Sequence, residues 1–130
     1  MKKIHLIVIL LLITTVSKSQ SQVELNDKWC DKYNEVDKEL NLIYQKVIKI
    51  YSNDTLLIKN LIKTQNNWIK LRNSDIELYM PKNKHWGSAS SMCRCQFLAE
   101  LTQKRIEFLK MWEIGHEEGW MCGGTMRIKN

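Results

Sequence analysis

The sequence predicts an all-α protein, an up-down-up three-helix bundle that ends in an irregular, disulfide-tethered tail. Three observations lead there. The 130 residues include one Pro and five Gly, too few breakers for a turn-rich β architecture. Apolar residues recur at three-four spacing through three separate stretches. The length suits one domain rather than two.

The first residues are expected to lie outside that domain. Lys2 and Lys3 precede an apolar run from Ile4 to Ile13 broken only by His5, and the small-polar stretch TTVSKSQSQ follows. That order is the order of a secretory signal peptide, with cleavage after Ser19 or Ser21. The run is shorter than the roughly 20 apolar residues that span a bilayer. Residues 1–21 are thus read as a signal peptide and 22–130 as one helical domain, exported to the periplasm or secreted, with no membrane span after cleavage. Loss of Lys2, Lys3 and Lys18 takes the formal charge from +6 to +3. So mild a surplus, spread along the chain, is no nucleic-acid footprint.

Asn26-Asp27 carries capping chemistry for the first helix. Its stripe runs Cys30, Tyr33, Asp37, Leu40, Tyr44, Val47, Tyr51. Ser52-Asn53-Asp54 breaks it, and Asp54 or Asn53 is placed to cap the next helix. That helix, Thr55 to Tyr79, carries Ile58, Leu61, Ile62, Gln65, Trp68, Ile69, Arg72 and Ile76 on one face. Pro81 ends it, because the residue before a proline is pushed out of α geometry. The loop PKNKHWGSASS follows, and Ser90 or Ser91 is read as the cap of a third helix. Its stripe is Cys95, Leu98, Thr102, Arg105, Leu109, Trp112, and Gly115 stops it. The remaining HEEGWMCGGTMRIKN is irregular.

Four cysteines in an exported chain read as a disulfide framework. Cys93 and Cys95 diverge by about 200° on a helix and do not suit each other. In an up-down-up bundle the first and third helices start at one end, which pairs Cys30 with Cys95. Cys93 and Cys122 then remain, and their bond requires a tail strapped back along the bundle. The rival is a zinc set of Cys93, Cys95 and Cys122 with His116 or His85. C-x-C spacing and an oxidising compartment argue against it. No metal or cofactor is expected, and His85 and His116 are read as solvated.

Polar residues stand on the faces that should be core. Asp37, Arg72 and Arg105 each lie amid apolar neighbours, and isolated buried charges cost several kcal/mol each. Counted in helical turns they fall at one level, so a shared network is expected, with Gln65, Asn41 and Thr102 filling leftover donors and acceptors. No paired carboxylates, Ser/His or Cys/His set, or phosphate loop accompanies Asp37, so no enzyme is expected.

The series Asp37-x-x-Leu40-Asn41-x-x-Tyr44, Gln65-x-x-Trp68-x-x-x-Arg72 and Leu101-Thr102-x-x-Arg105-x-x-x-Leu109 resembles the LprI-type lysozyme inhibitor-like family. The resemblance spans about residues 29–112, and the Cys122-Gly123-Gly124 ending looks like that of some members. It implies a small exported helical domain, in its namesake a lysozyme inhibitor. Members often carry a Cys where this chain has Ile76 and another at the place of Phe97, so the family's disulfides do not transfer. The shared residues are core residues and diagnose fold rather than a binding surface.

A protein partner is therefore expected, in the first reading a lysozyme-like muramidase. The alternative is a cell-envelope structural or stress module that binds wall or surface components. Basic lysozymes call for a local acidic patch, which Glu24, Asp27, Asp31 and Glu35 could supply. The loop residues His85, Trp86, Gly87 and Ser88 are the companion candidates. Trp86 is expected to fold onto the core rather than stand out as an interface anchor. The oligomeric state is not legible.

Overall fold

The structure, a computed structural model, describes the backbone of residues 2–129 and the side chains of residues 21–129. It is all-helical, with α1 Lys2–Ile50, α2 Thr55–Tyr79 and α3 Ser90–Ile114. Among the described residues there is no strand, only an isolated bridge between His116 and Ile128. The expected signal peptide, Ser21 apart, lies outside the residues whose side chains are described. No helix is long and apolar enough to cross a membrane among the described residues.

The core lies between α1 and α3. Val36, Leu40, Ile43 and Val47 on one helix pack with Ile106 and Leu109 on the other. Tyr44, Tyr51, Leu61, Trp68 and Trp112 close around them. Cys30 is bonded to Cys95, and Asn26 meets the start of α3. Further along, Lys110 Nζ reaches Glu39 at 2.9 Å, Lys46 Nζ reaches Glu113 at 3.1 Å, and the Tyr51 hydroxyl donates to the Trp112 carbonyl at 3.1 Å. α2 contacts its neighbours less densely. Its inward face carries Gln65, Trp68 and Arg72, and bulky side chains at a contact hold helix axes apart.

That face is rotated from the one expected. Leu57, Gln65 and Ile76 are buried, whereas Ile62 and Ile69 are 44% and 37% exposed. At about 100° per residue, these two sit on one margin of the stripe. Seating Leu57, Leu61 and Trp68 against the core turns that margin out to solvent.

The turn between α1 and α2 follows from Asp54, whose Oδ1 accepts the Leu57 amide at 2.9 Å. The start of α3 is solved differently from the serine cap expected. Ala89 stands at the cap position with no side-chain bond. Asn26 supplies the missing group from α1: its Oδ1 accepts the Met92 amide at 3.2 Å and its Nδ2 donates to the Ser88 carbonyl at 3.0 Å. α1 runs through Asn26 without a break, so this asparagine caps a neighbouring helix and not its own. Asn26→Ala should lower stability by about 1 kcal/mol, the usual worth of such a cap, and speed amide exchange at Met92. Denaturant melts and hydrogen exchange check both.

The tail corrects a second expectation. Cys93 and Cys122 are free, with Cys122 exposed. Gly115, at φ 84°, turns the chain out of α3 and lies so close to the Arg127 carbonyl that a Cβ there would collide. The tail then closes on itself: the His116 amide donates to Arg127 O at 2.9 Å and the Lys129 amide to His116 O at 2.8 Å. The slack needed to return along α3 is spent in that loop, and Cys122 stays about 30 Å of helix away from Cys93. Tyr51 ties the loop down by accepting the Arg127 amide at 2.7 Å. Trp112 Nε1 adds a bond to Thr125 Oγ1 at 3.2 Å. His116 is packed rather than solvated, its ring lying where a side chain on the buried Gly123 would go.

Candidate functional site

Two places in the fold gather the polar residues singled out in the sequence. The first is the interior. Arg72 Nη1 donates to Asp37 Oδ1 at 3.0 Å and to Thr102 Oγ1 at 3.3 Å. The threonine hydroxyl in turn donates to Leu98 O at 2.7 Å. Arg105 does not reach the carboxylate. Its Nε donates instead to Gln65 Oε1 at 2.9 Å.

Trp68 explains the separation. Its ring lies 4.8 Å from the Arg72 guanidinium carbon and 5.7 Å from that of Arg105, flanking both cations. Tyr33 and Phe108 add further faces, to Arg72 and Arg105 respectively. The ring faces stabilise the positive charges where a second carboxylate is missing. Reading Trp68 as an ordinary stripe residue missed this. A tryptophan four positions before Arg72 and three after Gln65, the partner of Arg105, was the available signal.

Asn41 stands apart from the cluster, exposed and donating to the Asp37 backbone carbonyl at 3.0 Å. The set is also short of acceptors. Arg72 Nε and Arg105 Nη2 are buried without a partner. Burial pushes the Arg105 guanidinium below its ordinary value.

The second place is the end of the molecule where α1 meets the start of α3. Glu24, Asp27, Asp31 and Glu35 are all exposed on α1 at three-four-four spacing, which lines them up on one face. Lys32 Nζ lies 3.8 Å from Glu35; the other three form no ion pair among the described residues. The loop 81–89 lies at the same end of α1, tied to it through the Asn26 to Ser88 bond on a different side of the helix. His85, Trp86 and Ser88 are exposed there. Trp86 does not fold onto the core. It remains 42% exposed, with its Nε1 donating to the Pro81 carbonyl at 3.1 Å. That bond anchors one edge of the indole to the loop's own backbone.

At the opposite end, the tail carries a salt link. Lys129 Nζ donates to Glu117 Oε1 at 2.7 Å, and this bond, with the ammonium charge, holds the Glu117 carboxyl below its ordinary value. A depressed folded value means the link acts fully above the ordinary carboxylate range and is lost as pH falls through the lowered value. Acidification through and below the ordinary carboxylate range should therefore loosen the tail and change Trp120 fluorescence. Glu117→Gln should show the same change already at neutral pH.

Among the described residues, no group of three or more His, Cys, Asp or Glu is placed to hold a metal ion. Searches of curated proteins and of solved structures found no match. The buried Gln65, Thr102 and Arg105, and Arg72 bonded to Asp37, belong to the three-part motif series of the sequence. The family model described as lysozyme inhibitor LprI matches residues 14–109, most of the chain, and the protein belongs to that family.

Proposed function

We propose that the mature chain, residues 22–130, is exported and acts without catalysis, by binding a lysozyme-like muramidase and blocking it. Membership of a family described as lysozyme inhibitors is the observation that carries this reading. The contact surface we assign is the end of the molecule that carries the acidic face of α1 and the loop tied to Asn26: Glu24, Asp27, Asp31 and Glu35 together with His85, Trp86 and Ser88. Four carboxylates against Lys28 and Lys32 on the same surface leave a local negative excess, even though the mature chain carries +3 overall. A basic muramidase would be oriented by that field at short range. The half-exposed Trp86 offers the large rigid ring favoured at the centre of interfaces.

Rigidity of that end supports the same reading. The Cys30–Cys95 bond and the two Asn26 bonds fix loop and helix relative to each other, and a preorganised surface loses less entropy on binding. The order of pairings also supports an up-down-up course. Asn26, Glu39 and Tyr51 meet Met92, Lys110 and Trp112 in turn, while Gln65, Arg72 and Tyr79 meet Arg105, Thr102 and Phe97. Such a course brings the loop to the acidic end of α1.

Purified residues 22–130 should slow lysis of bacterial cell walls by at least one lysozyme class at micromolar excess. Asp27→Lys with Asp31→Lys should weaken that inhibition at least tenfold and flatten its dependence on salt, since a local field is screened within about 8 to 10 Å at ordinary ionic strength. Absence of any slowing across several lysozyme classes would reject the inhibitor reading.

A further inference from the structure

Between α2 and α3, next to the interior network, lies a cavity of about 280 Å³. Its walls are mainly apolar, formed by Leu57, Leu61, Phe108 and Trp112, and Arg105 contributes to them. Arg105 is the unusual member. The residue is 7% exposed, its Nε is used by Gln65, and its Nη2 is buried with no acceptor. Among the described residues it forms no ion pair, whereas Arg72 has Asp37. The interior thus holds two cations and one carboxylate, and the cation without a counter-charge borders the empty apolar space.

We infer that this cavity is a binding site for a small amphiphile with a carboxylate head, seated with the head against Arg105 and the hydrocarbon body along Leu61, Phe108 and Trp112. Each part of the ligand answers a feature of the site. A carboxylate supplies the missing negative charge at the part of the Arg105 side chain that borders the cavity, although Nη2 itself is closed to a water-sized group, and a guanidinium binds carboxylates through a charge-assisted bond. An aliphatic body matches walls whose exposed area is mostly apolar, although Asp54, Asn60, Thr64 and Thr125 also line the space. Size sets the length: at the roughly 30 Å³ that one water takes up in the liquid, the volume accommodates about nine water-sized groups. Octanoate has that size. The site lies away from the acidic face of α1 and does not depend on muramidase binding.

Titration of the intact mature chain with sodium octanoate, followed by calorimetry and by the fluorescence of Trp112, tests the assignment. Octanoate should bind one to one with a dissociation constant of about 100 μM or tighter. Octan-1-ol, which keeps the body and loses the charge, should bind at least tenfold more weakly. Arg105→Met should erase that difference. Thr64→Trp places a ring at the exposed mouth without touching the network, and it should weaken octanoate at least tenfold with unchanged helical content. The second variant decides the matter even if Arg105→Met fails to fold. Octanoate binding weaker than 1 mM, equal binding of octanoate and octanol, or undiminished binding to Thr64→Trp would overturn the proposal. Octyl phosphate binding more tightly than octanoate would overturn the choice of a carboxylate head.

Discussion

Cys30→Ser, made in a background where Cys93 and Cys122 are also Ser, should lose about 4 kcal/mol of stability. The bond joins residues 65 apart, and closing a loop of that size removes about 14 to 15 cal/mol/K from the unfolded chain. For a domain near 100 residues this is a fall in melting temperature of roughly 20 °C. The loss has a structural side as well. Cys30 and Cys95 sit beside the Asn26 cap, so without the bond the start of α3 is held by hydrogen bonds to one asparagine. Thermal melts of the oxidised proteins provide the comparison. Identical midpoints would mean that the bond constrains little that the packing of α1 on α3 does not already fix.

Arg72→Leu comes next in size. Arg72 has a side chain only 13% exposed and bonds Asp37 and Thr102 at once. Removing it strands a carboxylate beside the core and leaves the Thr102 hydroxyl with only Leu98 O, a loss of about 3 kcal/mol. Asp37 is partly exposed, which places the figure at the low end for a broken buried pair. Combining Arg72→Leu with Asp37→Leu should recover more than half of that loss, because apolar replacements of a buried pair are commonly neutral. A double-mutant cycle by denaturant unfolding measures it. Additive losses would show that the two residues act separately.

The two predictions rest on features of unequal visibility in the sequence. Helix class and the bounds of α2 were legible because amphipathic spacing, Asp54 and Pro81 act within a few residues of themselves. The Cys30–Cys95 bond was legible because both cysteines lie on inward stripes near matching depths. What escaped was set by contacts between distant segments. Asn26 looked like a cap for its own helix, and only the packing of α1 on α3 shows that it caps the other. Gln65 and Arg105 form a pair of their own because Trp68 flanks both guanidiniums, which a one-dimensional count of turns cannot show. The Cys93–Cys122 bond failed for a similar reason: Tyr51, 76 residues from Arg127, draws the tail closed at the end of α3.

The candidate surface was legible as chemistry more than as geometry. A run of Glu24, Asp27, Asp31 and Glu35 is visible as one helix face from spacing alone. That the loop with Trp86 lies at the same end of α1 depends on the Asn26 to Ser88 bond, and that the indole stays outside depends on its bond to Pro81. The interior cavity had no sequence signal. It arises because Gln65, Trp68 and Arg72 keep α2 at a distance from its neighbours.

The central claim is that the acidic face of α1 and its loop bind a basic muramidase. Calorimetric titration of such an enzyme with residues 22–130, at low and at high salt, tests it most directly. The account predicts one-to-one binding at micromolar concentration or tighter, weakened at high salt and weakened again by Asp27→Lys with Asp31→Lys. No binding heat at either salt concentration and no complex in gel filtration would contradict it.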